Sequence, residues 1–172
     1  NSDAMLGIGD LYYYGYGVKQ DYLKAKEYYE KSSFLGNSNA MLNLGELYLN
    51  GKGVKQDFLK AKEYYQYSSE YNNPKALFEL GNLYSDGDIF ETNLQKAIEY
   101  FLKSIDVKSG KKRIYNQIDK SVTVFYEINN YRYISYNKIG LIYYIFYNDM
   151  EKADEYFKES AFGEYPFGQN NF

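Results

Sequence analysis

The chain has 172 residues, a net charge of −3 and 45% hydrophobic residues, with neither cysteine nor histidine. This is the composition of a globular chain, and it excludes disulfides, thiolate nucleophiles, imidazole bases and the usual sulfur and nitrogen ligands of zinc. It offers no global positive field for nucleic acid or an anionic membrane, and no apolar run reaches the roughly 18 residues of a membrane span.

Apolar residues at helical spacing, Ala4, Ile8, Leu11 and Tyr12, predict a first helix. Gly15-Tyr16-Gly17 ends it, because glycine tolerates the positive φ of a helix C-terminus. Asp21 is positioned to cap a second helix, which carries Lys-Ala-x-x-Tyr-Tyr and ends near Gly36. The pattern then starts again. GVKQDYLKAKEYY, Gly17 to Tyr29, returns as GVKQDFLKAKEYY, Gly53 to Tyr65, and 22 of the 36 positions of Ala4–Asn39 recur in Ala40–Lys75. Asp57 is the second cap and Asn72 the second stop. A third copy from Ala76 keeps Gly81, Tyr84, Gly87, Ala97, Tyr100 and Ser104, with Asn93 as its cap.

Residues 112–134 interrupt the period. Ile114, Ile118, Val122 and Phe125 fall on one helical face and predict an extra helix at about 112–128. A fourth, divergent copy follows, in which Gly140, Tyr143, Asp149, Ala153, Tyr156 and Ser160 match the earlier skeleton and Gly163 marks the end. The organisation expected is a single array over 1–172. Its repeats run over about 4–39, 40–75, 76–111 and 132–167, and a further one starts at 168–172. Asn1–Met5 matches Asn37–Met41, so the chain is expected to be a piece of a longer array. A 36-residue helix pair is too small to bury a core of its own, so each copy must stack on its neighbours.

Candidate chemistry is sparse. Glu27, Glu30, Glu63, Asp86 and Asp88 read as solvated helix and loop positions. GKGVKQ, Gly51 to Gln56, lacks the Lys-Ser/Thr ending and the preceding strand of a phosphate loop. Asp86-Gly87-Asp88 with Glu91 is too short for a twelve-residue calcium loop and reads as a turn. The basic run from Lys108 to Arg113 reads as a solvated loop beyond a helix C-terminus. Tyr28/Tyr29 and Tyr64/Tyr65 recur at helical spacing and read as packing, not as a ligand ladder. No catalytic residue, metal or cofactor is expected, and the chain is expected not to be an enzyme.

The pattern A-x-x-x-L-G-x-L-Y-x-x-G-x-G-V-x-x-D-x-x-K-A-x-x-Y-Y resembles the Sel-one-like repeat, a relative of the tetratricopeptide repeat. The third copy departs from it, with Ile89 at the second loop glycine. The resemblance implies an all-α fold, a right-handed α-solenoid of stacked antiparallel helix pairs that scaffolds protein complexes, with the first helices lining a concave face. By that resemblance the inner positions are Asp10, Tyr13 and Tyr14; Glu46, Leu49 and Asn50; Asn82, Ser85 and Asp86; and Leu141, Tyr144 and Ile145. These positions vary while the skeleton stays fixed, as a partner's aperiodic surface requires. The last set is apolar and is expected to pack under the inserted helix. The function expected is a noncatalytic adaptor that binds a protein or peptide partner, one rich in Lys/Arg given Asp10, Glu46 and Asp86, with no nucleic acid and no membrane insertion. The alternatives are a regulatory or targeting segment of a larger enzyme and, on analogy with a cysteine-rich secreted branch, a hydrolase. The absence of cysteine, of a sequon and of a signal-like start in this segment fits a cytoplasmic setting but does not require one.

Overall fold

The computed structural model describes residues 1–107, 111–115, 122–126 and 130–161. They fall into two units, Asn1–Tyr100 and Phe101–Phe172.

The first unit contains α1 (Ser2–Tyr14), α2 (Tyr22–Phe34), α3 (Ser38–Asn50), α4 (Phe58–Glu70), α5 (Pro74–Ser85) and the start of α6 (Leu94–Asp106). Local chemistry sets the boundaries. Asp21, Asp57 and Asn93 each accept the amide of the residue three positions on, at 3.0, 3.0 and 2.9 Å, which satisfies a first-turn donor that has no partner inside the helix. Gly15 and Gly51 take the left-handed conformation at φ 75° and 65° and return their N–H groups to Leu11 and Leu47. Gly36 and Asn72 turn the chain after α2 and α4 with φ 81° and 54°, as the sequence predicts.

Within each pair the helices meet through a repeated set of contacts. Tyr12 stacks on Tyr28, Tyr48 on Tyr64 and Tyr84 on Tyr100, with centroids 5.6–5.8 Å apart. A lysine ammonium lies over the first ring of each stack: Lys24, Lys60 and Lys96 at 5.1, 5.2 and 5.3 Å. The helix glycines are open seats for rings. A Cβ on Gly9 would stand 2.5 Å from Tyr29, and one on Gly45 would stand 2.5 Å from Tyr65. Ala25 and Ala61, fully buried, permit the same close approach from the second helix. The tyrosine pairs are therefore packing elements.

Successive pairs are joined at their helix starts. Asn37 caps α3 and its Nδ2 donates to Asp3 at 2.9 Å; Asn73 caps α5 and donates to Asn39 at 2.8 Å. Ser32 and Ser68, fully buried, donate to the carbonyls of Ser2 and Ser38, each at 2.8 Å. One core cluster gathers Ala25, Tyr29, Ala40, Leu44 and Leu47; the next gathers Leu42, Tyr65, Ala76, Leu80 and Leu83. The second loop glycine also serves stacking. Gly53 has φ 67°, and a Cβ there would lie 2.6 Å from Tyr22 Cβ and 2.9 Å from the Tyr22 carbonyl carbon. In the third copy Ile89 and Phe90 instead pack on the second core cluster, which accounts for the missing glycine.

The second unit holds the end of α6, strands β1 (Lys111–Tyr115) and β2 (Val122–Tyr126), and helices α7 (Asn130–Ile145) and α8 (Met150–Ala161). The helix expected at about 112–128 is not formed. The strands pair antiparallel, with Lys111 opposite Tyr126 and Tyr115 opposite Val122. Val-Thr-Val-Phe-Tyr is a run of β-branched and aromatic residues, and that preference outweighs four apolar residues at helical spacing. α7 and α8 repeat the pair: Tyr143 stacks on Tyr156 at 5.6 Å, Gly140 faces the Phe157 ring, and Asp149 caps α8. Leu141, Tyr144 and Ile145 are exposed, which corrects the expectation that they pack under an inserted helix. Gly163 and the further repeat start at 168–172 lie outside the described residues. The class is an all-α helical-repeat solenoid, and the hairpin is the one β element among the described residues.

Candidate functional site

Four of the sequence-predicted positions come together on α1 and α3. Asp10 Oδ1 accepts the Tyr29 hydroxyl at 2.7 Å and Asn43 Nδ2 at 3.2 Å. Tyr13 meets Tyr14 edge-on at 4.8 Å and Tyr22 at 5.4 Å. Tyr14 is 56% exposed and stacks on Tyr16 of the loop at 5.2 Å. Glu46 forms an ion pair with Lys75. Partial burial, then Tyr13, Asp10 and Glu46, raise the pKa of the Tyr14 hydroxyl, and Lys75 opposes them. These side chains thus share one electrostatic environment.

Two lysines of the chain itself reach this face, and the sequence reading did not include them. Lys52 Nζ donates to the Tyr13 hydroxyl at 2.8 Å and lies over the Tyr13 and Tyr22 rings. The bond to Tyr13 is the first cause that raises its pKa. Lys75, at the start of α5, meets Glu46 from the following pair. A signal for both was present: Tyr16, Lys52 and Asp88 vary at one loop position, and Asp3, Asn39 and Lys75 vary at one helix start.

The remaining predicted residues are engaged locally. Leu49 packs against the second core cluster. Asn50 donates back to the Glu46 carbonyl at 2.9 Å, and Asn82 donates to Glu79 at 3.2 Å. Ser85 donates to the Asn82 carbonyl at 3.1 Å. Asp86 Oδ1 accepts the Asp88 amide at 3.0 Å, so the Asp-Gly-Asp stretch is a turn. Among the described residues no group of acids is arranged to hold a metal ion, and no helix is long and apolar enough to cross a membrane.

The Sel1 repeat family model matches residues 2–37, 38–70 and 74–107. A Sel1 repeat protein from Oxalobacter formigenes superposes with a TM-score of 0.75 at 25% identity, over 94% of this chain and 58% of its own. The antigen c5321, described as a protective antigen present in uropathogenic Escherichia coli strains displaying an SLR fold, superposes with a TM-score of 0.72 at 27% identity, over 95% and 31%. This chain therefore spans less than two thirds of either structure's length. No curated protein matches it in sequence. Sel1 repeats are protein-interaction modules in general, and their fold is typically a noncatalytic scaffold. Three matched repeats, with the caps, ring seats and stacked tyrosines that build them, show that this chain belongs to the Sel1 repeat family.

Proposed function

We propose that this chain is a noncatalytic adaptor, which holds a segment of another protein on the face carried by α1, α3 and α5. The residues proposed to meet the partner are Asp10, Tyr13, Tyr14 and Glu46, then Leu49 and Asn50, with Asn82, Ser85 and Asp86 further along. The observation that supports this reading is Tyr14. It is an aromatic side chain left mostly in solvent beside two carboxylates, and exposed aromatics of this kind anchor many interfaces. Lys75 meets Glu46 and Lys52 meets Tyr13 within the chain itself, and these contacts support a partner segment bearing lysine or arginine. Nucleic acid is not proposed as a partner.

The test is the double substitution Tyr14→Ser and Glu46→Gln in the full chain, used as bait in a cell extract. Loss of the retained proteins at unchanged helicity is expected. Retention equal to that of the unsubstituted chain would remove this face from the proposal.

A further inference from the structure

A groove of about 850 Å³ runs along the loop between α3 and α4, and none of the residues proposed above to meet the partner lines it. Val54, Phe58, Leu59, Ile89 and Phe90 give it an apolar lining. Three of these are held from behind: Val54 packs on the first core cluster, and Ile89 and Phe90 pack on the second. The lining is thus continuous with the core, while Leu59, in the first turn of α4, is left 66% exposed.

The rim is basic. Lys26, Lys55 and Lys60 border the groove, and Lys62 reaches the same wall, 4.9 Å from the centre of the Phe90 ring. Lys26 is paired with Glu30 at 2.7 Å. Lys55 is exposed and takes part in no ion pair among the described residues. The one acid on the lining, Asp57, uses Oδ1 to cap α4. Lys55, Lys60 and Lys62 thus outnumber Asp57 at the apolar-floored groove itself, while Asp88 and Glu91 flank Ile89–Phe90 in the chain. The corresponding groove one repeat earlier, about 550 Å³, keeps Val18, Lys19, Asp21 and Lys24 but has no counterpart of the Ile89–Phe90 wall.

We infer that the groove between the α3–α4 loop and Ile89–Phe90 is a second docking surface, which takes an acidic polypeptide segment with an aliphatic or aromatic side chain at its centre. Lysines on the rim complement the carboxylates, and the fixed apolar wall receives the central side chain. A nucleic-acid backbone fits less well, because phosphate and sugar would leave the exposed Leu59 and the apolar wall without an apolar group to meet.

The experiment is selection of a displayed library of random dodecapeptides on the full chain. Enriched peptides are then measured by fluorescence anisotropy against Lys55→Glu/Leu59→Ser, Lys19→Glu and Tyr14→Ser/Glu46→Gln. All these positions except the half-buried Glu46 are exposed, and circular dichroism checks each fold. The expected winners carry aspartate or glutamate around one apolar residue, and they weaken with salt. They lose about tenfold or more on the Lys55→Glu/Leu59→Ser chain, and they bind the other two variants unchanged. The inference is overturned by no enrichment, by winners without acidic bias, by binding that survives Lys55→Glu/Leu59→Ser, or by loss on Tyr14→Ser/Glu46→Gln, which would assign the peptides to the other face. Binding of a single-stranded oligonucleotide that is lost on Lys55→Glu/Leu59→Ser would likewise reassign the groove.

Discussion

The Tyr29 hydroxyl donates to Asp10 at 2.7 Å, whereas the equivalent hydroxyl one repeat later, on Tyr65, is buried and has no hydrogen-bond partner among the described residues. Both rings are 1% exposed and occupy the same glycine seat. The difference lies in the acid. Glu46 stands where Asp10 stands in the first copy, but it is one methylene longer and pairs with Lys75.

Two nominally identical substitutions should therefore part company. Tyr29→Phe removes a bond to a carboxylate and should cost about 1–2 kcal/mol. Tyr65→Phe removes a desolvated hydroxyl that bonds to nothing, and its effect should be near zero or stabilising. Urea denaturation of the two variants measures both; equal losses would show that the Tyr29–Asp10 bond contributes nothing.

The helix glycines divide in the same way. Gly45→Ala forces a methyl group into the buried Tyr65 ring. Such overpacking costs about 1–3 kcal/mol, partly offset by alanine's better helix propensity. Gly7 lies in α1 with nothing within 4 Å of a Cβ, so Gly7→Ala should stabilise by roughly 0.5–1 kcal/mol. Thermal midpoints that move in the same direction would contradict the ring-seat reading.

The loop glycines give a finer comparison. Gly17 and Gly53 share a positive φ, 72° and 67°, and occupy equivalent positions, but only at Gly53 would a Cβ strike the backbone of α2. Gly17→Ala should cost about 1–2 kcal/mol for the left-handed conformation alone. Gly53→Ala should cost clearly more, with faster hydrogen exchange in α3 and α4. Matching midpoints for the two would show that the loop does not need its close approach to Tyr22.

The buried hydroxyls also set a pH limit. Burial first, then Asp10 for Tyr29 and Glu79 and Glu46 for Tyr65, raises their pKa values above the ordinary value near ~10. The proton is held more tightly in the folded chain than in the unfolded one. The associated stability is complete below about pH 10 and is lost as pH rises beyond it. Absorbance at the tyrosinate band should show part of the 24 tyrosines ionising only as helical circular dichroism disappears. Full ionisation with helices intact would refute the assignment.

Much of the first unit is legible in the residues alone. Asp21, Asp57 and Asn93 cap where their spacing places them, and Gly15 and Gly51 stop their helices, because each event depends on a few neighbouring backbone groups. The candidate face was half legible. Asp10, Tyr13, Tyr14 and Glu46 converge, but Lys52 and Lys75 arrive from other segments, and Lys75 lies 29 positions from the acid it pairs with. In the insert, apolar spacing at Ile114, Ile118, Val122 and Phe125 suits a helix, whereas the identity of Val122–Tyr126 suits a strand, and the strand is what forms.

By itself the amino-acid sequence determined that the helices of the first unit come in pairs, where their turns and second-helix caps fall, and that a 36-residue pair has too small an interior to stand alone. Those outcomes follow from capping, turn geometry and the small interior of 36 residues. Only the tertiary structure decided that Gly9 and Gly45 are seats for rings, that Gly53 yields to the backbone of α2, and that one tyrosine hydroxyl finds an acid while its twin does not. Each depends on what a neighbouring helix or repeat brings within a few ångströms, and near-identical repeats diverge there because a single methylene or a single loop residue changes which partner can be reached.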